Sequence, residues 1–155
     1  MSSNDKVQID SVEPHLRLEN QLCFAMYSAS RAMTRFYAPL LKKLHLTYPQ
    51  YLALMVLWAE DGQTIQSLAD NLEIDQASAT PLIQRLEKLG FVNRERSQED
   101  ERRVLVWLTD KGRGVYSEAG QISSAVACGS GITLDEAVYI IGKMGEVKAS
   151  LATQK

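Results

Sequence analysis

Apolar residues between positions 64 and 92 fall into two runs with helical spacing. Ile65, Leu68, Ala69 and Leu72 occupy i, i+3, i+4 and i+7, which predicts a short amphipathic helix with Thr64 as its N-cap. Ala79, Leu82, Leu86 and Leu89 repeat the stripe. Asp75 is placed to cap that second helix, and Gly90 stands where a helix end takes a left-handed residue. Phe91 and Val92 then open a strand, and Val104–Leu108 can return antiparallel to it around a tip at Ser97 to Arg102. Two helices, a tight connection and a two-stranded hairpin predict a winged helix-turn-helix. The fold class expected is mainly α with a small β-hairpin wing.

Helical patterns also flank this unit. Pro14 precedes a pattern over about 16–38, with Leu22, Ala25, Met26, Ala29, Ala32, Met33 and Phe36 on one side and Pro39 interrupting it. Thr47 and Gln50 form a capping-box pair before the apolar run 51–59, with Pro49 tolerated in the first turn. Residues 109–128 predict a connecting helix and 128–133, CGSGIT, a linker-like stretch. A second box, Thr133 with Glu136, opens a helix carrying Ala137, Ile140, Ile141, Met144 and Val147. The expectation is one domain over 1–155, with a winged unit at about 47–108. The outer segments, about 16–46 and 133–151, are more apolar than one small winged unit needs to cover, which predicts dimerisation helices. A two-fold dimer would set two recognition helices about 34–36 Å apart, matching an inverted-repeat operator in double-stranded DNA.

On a helical wheel the side opposite the second stripe carries Ala77, Thr80, Pro81, Gln84 and Lys88, small or polar groups that fit a major groove. Gln76, Ser78 and Arg85 complete the candidate reading surface. Pro81 leaves two readings open: the helix bends in its second turn, or its regular part begins with Thr80 as cap and Pro81 at N1. Arg94, Arg96, Arg102 and Arg103 cluster on the hairpin. A guanidinium on such a wing suits the concentrated negative potential of a minor groove, and Asp100 is the candidate carboxylate that directs Arg102.

Composition modifies this picture only slightly. The 155 residues are 45% apolar, enough for one real core. Net charge is −2, yet residues 84–113 hold eight basic side chains against six acidic ones, and DNA affinity follows the local patch. The longest apolar run has nine residues and the polar N-terminus has no hydrophobic signal region, so no membrane partner is expected and the expected location is cytoplasmic, with reduced thiols. His15, His45, Cys23 and Cys128 form no close ligand pairs, and neither a metal nor another cofactor is expected.

Two cysteines raise the question of redox chemistry. Cys23 has Tyr27 one turn along the same face, Tyr37 fourteen residues on, and Tyr48 beyond the proline. Fourteen residues of straight helix span roughly 21 Å, so Cys23 and Tyr37 of one chain cannot touch. Antiparallel crossing of two first helices would bring a partner's tyrosine to the sulfur, and phenol hydroxyls donating to sulfur favour thiolate. The competing reading is that Cys23 is a small core residue.

The segments LTYPQYLAL, SATPLIQRLEKLG and RSQEDERRVLVWLTDKG, with a cysteine early in the first helix, resemble the MarR family, and specifically its OhrR branch of repressors that sense organic hydroperoxides. The resemblance is strong over about 18–117. It implies that Cys23 is the peroxide-reactive residue, that Tyr27, Tyr37 and Tyr48 hydrogen-bond it partly across a homodimer, and that Asp100, Arg102 and Arg94 belong to the DNA-contacting wing. By the same likeness Cys128 resembles the resolving residue of a two-Cys subtype, forming an intersubunit disulfide that releases the operator. Its small neighbours, SSAVACGSG, suit a segment that must move. Two other readings remain: a MarR-type repressor answering a small phenolic ligand, with Cys23 incidental, and a thiol peroxidase, which has no need of a wing with four arginines.

Overall fold

The computed structural model describes residues 13–98, 100 and 102–153; Glu99 and Glu101 of the wing tip lie outside them. After two 3-10 turns at Pro14–Leu16 and Leu18–Asn20, the helices are α1 Leu22–Lys42, α2 Tyr48–Ala59, α3 Ile65–Leu72, α4 Gln76–Lys88, α5 Asp110–Gly114, α6 Tyr116–Ser130 and α7 Leu134–Ala152. Three short strands, β1 Gln63–Thr64, β2 Val92–Arg96 and β3 Val104–Leu108, form an antiparallel sheet in the order β1-β3-β2. The mainly α fold with a small wing is therefore present, built as a winged helix-turn-helix between outer helices.

Local chemistry explains most of the boundaries. Thr64 accepts the Ser67 amide at 3.1 Å and Asp75 accepts the Ser78 amide at 2.7 Å, so α3 and α4 start at the two expected caps. Glu136 receives the Thr133 amide at 2.8 Å at the start of α7, and the Thr47 amide donates to Gln50 Oε1 at 2.8 Å ahead of α2. Gly90, at φ 77, ends the turn after α4 and lets the chain reverse into β2.

Three expectations need correction, and one open choice narrows. Pro39 does not interrupt the first helix; it lies inside α1, which begins only at Leu22 and runs to Lys42. Arg35, whose carbonyl loses its amide donor to this proline, is exposed, so water can satisfy the group. Pro81 likewise sits within a continuous α4 capped by Asp75, which excludes the start at Thr80. The connecting helix is two helices that part at Val115. Cys128 belongs to the last turn of α6 instead of a loose linker, since that helix continues to Ser130 and stops at left-handed Gly131, φ 67.

The core fills the space between α1, α2, α3, α4 and the sheet. Leu41, Leu54, Leu57, Leu68, Ile83, Leu86, Phe91, Val92 and Val106 are fully buried. Ile83 joins Ala79 and Leu86 as the deepest line of α4, while Leu82 and Leu89 flank it half-buried. Asp61 pins the sheet to the helices: it accepts the Leu108 amide at 2.8 Å and the Gly62 amide at 3.0 Å, and pairs with Arg113 at 2.7 Å. Gly112 lets α5 close on this junction, because a Cβ there would lie 2.1 Å from the Phe91 carbonyl oxygen. α7 buries none of its residues, and Leu134, Val138, Tyr139, Ile140 and Ile141 are exposed along it.

Candidate nucleic-acid interface

Helix α4 presents Gln76, Ala77, Ser78, Pro81, Gln84, Arg85 and Lys88 as exposed side chains, with Thr80 half-buried beside them. Two of these hydroxyls are already engaged. Ser78 Oγ donates to Asp75 at 2.8 Å and Thr80 Oγ1 donates to the Gln76 carbonyl at 2.9 Å. The Ser78 hydroxyl, followed by its amide, holds the Asp75 carboxyl below the ordinary carboxylate range, so the cap stays charged at neutral pH. Gln76, Ala77, Gln84, Arg85 and Lys88 remain as the side chains that can reach base edges or phosphates.

The wing stands beside this helix. Asp100 shapes its tip: the carboxylate accepts the Arg102 backbone amide at 3.0 Å and the Asp100 carbonyl accepts the Arg103 amide at 2.9 Å. The contact between Asp100 and Arg102 thus runs through the backbone, and it sets the turn from which the exposed Arg102 and Arg103 project. Between the wing and the starts of α3 and α4 lies an open cleft of about 450 Å³ lined by Thr64, Gln66, Asp70, Gln76, Arg102 and Arg103. Gln66 was not anticipated in this surface. Its helix shows only an apolar stripe in the sequence, and the wing that faces it is distant along the chain.

Arg94 is held by a carboxylate of α4. Its Nε donates to Glu87 Oε2 at 2.8 Å and its backbone amide donates to Glu87 Oε1 at 3.2 Å. Glu87 is a second residue of this surface that the sequence does not single out, because helical periodicity records its side of α4 and not the strand that folds back against it.

Cys23 lies in the first turn of α1 and Cys128 in the last turn of α6; both are exposed and neither is in a disulfide. Tyr27, one turn beyond Cys23, is 59% exposed and carries the Arg31 guanidinium 5.5 Å above its ring centroid. Tyr37 and Tyr48 are brought together, ring centroids 4.8 Å apart, with Tyr51 stacked behind at 5.8 and 6.5 Å. Burial, then the Tyr48 and Tyr51 hydroxyls, push the Tyr37 phenol above its ordinary value, which keeps it a protonated donor. Within one chain this pair does not meet Cys23, since Tyr37 lies roughly 21 Å along the same helix. Cys128 is remote too. Its neighbour Gly129 packs so tightly on Phe36 that a Cβ would meet the ring at 2.5 Å, and Phe36 is roughly 20 Å along α1 from Cys23.

Residues 35–119 match the family Transcriptional regulator SarA/Rot. The Organic hydroperoxide resistance transcriptional regulator of Bacillus subtilis is 46% identical over 112 residues, covering 72% of this chain and 76% of that protein. The chain belongs to the MarR family of winged-helix regulators. It is a DNA-binding transcriptional regulator and not an enzyme, as its family and relatives are. This MarR regulator is also similar to AbfR of Staphylococcus epidermidis, with a TM-score of 0.77, 36% identity, and coverage of 90% of this chain and 97% of that one. AbfR has been solved in reduced form bound to DNA, where the TM-score is 0.75 at 36% identity, covering 89% and 96% of the two chains. A disulfide form of AbfR gives 0.66 at 35% identity, covering 90% and 95%. No single helix among the described residues of the regulator is long and apolar enough to cross a membrane.

Proposed function

We propose that this MarR regulator is a homodimeric cytoplasmic repressor that leaves an inverted-repeat operator when an organic hydroperoxide oxidises Cys23. The observation that carries the reading is the placement of two exposed thiols, Cys23 in the first turn of α1 and Cys128 in the last turn of α6, in a chain whose α1 and α7 leave apolar side chains uncovered. Leu16, Leu18 and Leu22 ahead of and on α1, and Leu134, Val138 and Ile141 on α7, are all more than half exposed, an extent of apolar surface suited to a second copy. Helices at about 16–46 and 133–151 form that interface in this reading, and residues 109–128 connect it to the winged unit at 47–108. Crossing of two α1 helices delivers Tyr37 and Tyr48 of one protomer to the Cys23 sulfur of the other, next to its own Tyr27.

The chemistry proceeds in two steps. The Cys23 thiolate attacks the outer peroxide oxygen, the O–O bond breaks, the departing alkoxide takes a proton from solvent water to leave as the alcohol, and Cys23 becomes a sulfenic acid. The Cys128 thiol of the partner then displaces water from that sulfenic sulfur and forms a disulfide. The same-chain pairing is disfavoured, because Gly129, the residue after Cys128, packs on Phe36, far along α1 from Cys23, and a disulfide needs α-carbons within about 7 Å. Closing the bond strains the last turn of α6 and rotates the winged units away from the spacing that fits the operator. The similarity to AbfR, known as a reduced DNA complex and as a disulfide form, supports this sequence of states.

A second reading is favoured by one feature, the cleft of about 380 Å³ lined by Tyr51, Met55, Trp58, Tyr116 and Ser123, which has the aromatic walls a phenolic ligand would need. Both are separated by one experiment. One equivalent of cumene hydroperoxide is added to the reduced protein, DNA binding is followed by fluorescence anisotropy, and the products are resolved by mass spectrometry and a non-reducing gel. The thiol reading expects release with a Cys23–Cys128 crosslink that dithiothreitol reverses and Cys128→Ser abolishes. Retained DNA binding with Cys23 oxidised, or release by a phenol in Cys23→Ser, would favour the ligand cleft.

A further inference from the structure

β2 is an edge strand, since the sheet order leaves its outer side without a neighbour. At Arg94, paired in register with Val106 on the inner side, the strand's backbone amide is taken up by Glu87 from α4 at 3.2 Å. The same carboxylate receives Arg94 Nε at 2.8 Å. A side chain of the recognition helix thus substitutes for a further strand and grips the arginine side chain of that residue as well. Both side chains are about one third exposed, 31% and 33%, so the ion pair itself contributes little to stability.

We propose that Glu87 is a positioning residue for DNA recognition: it sets the angle of the wing against α4 and holds Arg94 so that its Nη edge meets a DNA phosphate. The inference rests on the reading of α4 and the wing as the DNA face. A guanidinium whose Nε is bound to a carboxylate keeps its two Nη groups as a rigid fork, the geometry that grips phosphate bidentately. Arg85 and Lys88, in the last turn of α4, extend the same basic edge. A carboxylate on a surface that approaches phosphate otherwise only repels it; its contribution here is geometric.

Positioning and simple charge predict opposite signs. The probes are a duplex selected by the wild-type protein from random sequence and an unrelated duplex of equal length, titrated at several salt concentrations. Glu87→Gln is expected to weaken the selected duplex about tenfold, in line with the coupling of residues that share one network, while binding to the unrelated duplex stays the same or tightens. In an Arg94→Ala background the same substitution should cost nothing more. Arg94→Lys, which keeps the charge but lacks the fork, should lose affinity to a similar degree, and thermal melting of each variant separates this from unfolding. Tightening of both duplexes by Glu87→Gln, or an undiminished loss in the Arg94→Ala background, overturns the role of Glu87. If Arg94→Ala and Arg102→Ala both leave the selected duplex unaffected at every salt concentration, the DNA-face reading falls and this inference falls with it.

Discussion

At the residue scale, Cys23 carries the sharpest expectation. Cys23→Ser should bind the selected duplex as the wild type does and stay bound after cumene hydroperoxide; release of DNA by that variant, followed by anisotropy, would remove the thiol from the account. Arg102→Ala should weaken binding uniformly across sequences and lower the slope of log affinity against log salt by about one, the signature of a lost phosphate contact. An unchanged slope would mean that the projecting wing arginine meets no phosphate. Individual side chains were legible in sequence where their role depends on neighbours in the chain: the caps Thr64 and Asp75 bond as expected. Arg94 was legible as a basic wing residue, but its engagement by Glu87 was not, because a periodic pattern records which side of a helix a residue occupies and not what folds back against it.

Among the elements, α5 shows how a short piece can depend on one missing side chain. Gly112→Ala would put a Cβ into the Phe91 carbonyl and is expected to destabilise the fold by about 1–3 kcal/mol, the usual cost of overpacking. A melting temperature equal to that of the wild type would refute the tight approach. The Trp58 indole donates to the Gly112 carbonyl at 2.9 Å, so loosening α5 should also alter the intrinsic fluorescence. Elements with strong period and clear caps, α3 and α4, could be read directly from the chain. β1 could not: two residues carry no alternation, and Gln63 and Thr64 become a strand only because Val106 and Leu105 of β3 lie alongside. Pro39 misled for a related reason, since the cost of a proline in a helix depends on whether the orphaned carbonyl reaches water, and that is a property of the surroundings.

For the whole molecule, the uncovered apolar surface of α7 predicts assembly. Val138→Glu with Ile141→Glu changes side chains that are exposed in one chain, 63% and 71%, so each protomer should still fold. Analytical ultracentrifugation is expected to show the wild type as a dimer and this variant as a monomer with lost operator affinity. A dimeric variant would place the interface elsewhere.

What the chain determined by itself is local or periodic: the caps, the amphipathic stripes, the arginine-rich hairpin and the family likeness of its motifs. Those depend on residues within a few turns of one another. Tertiary structure alone decided the pairing of β1, the Glu87 grip on Arg94, the meeting of Tyr37 with Tyr48 and the packing of Gly129, next to Cys128 at the end of α6, on Phe36. Each of these joins segments whose separation along the chain says nothing of their distance in space, and only packing of the common core brings them together.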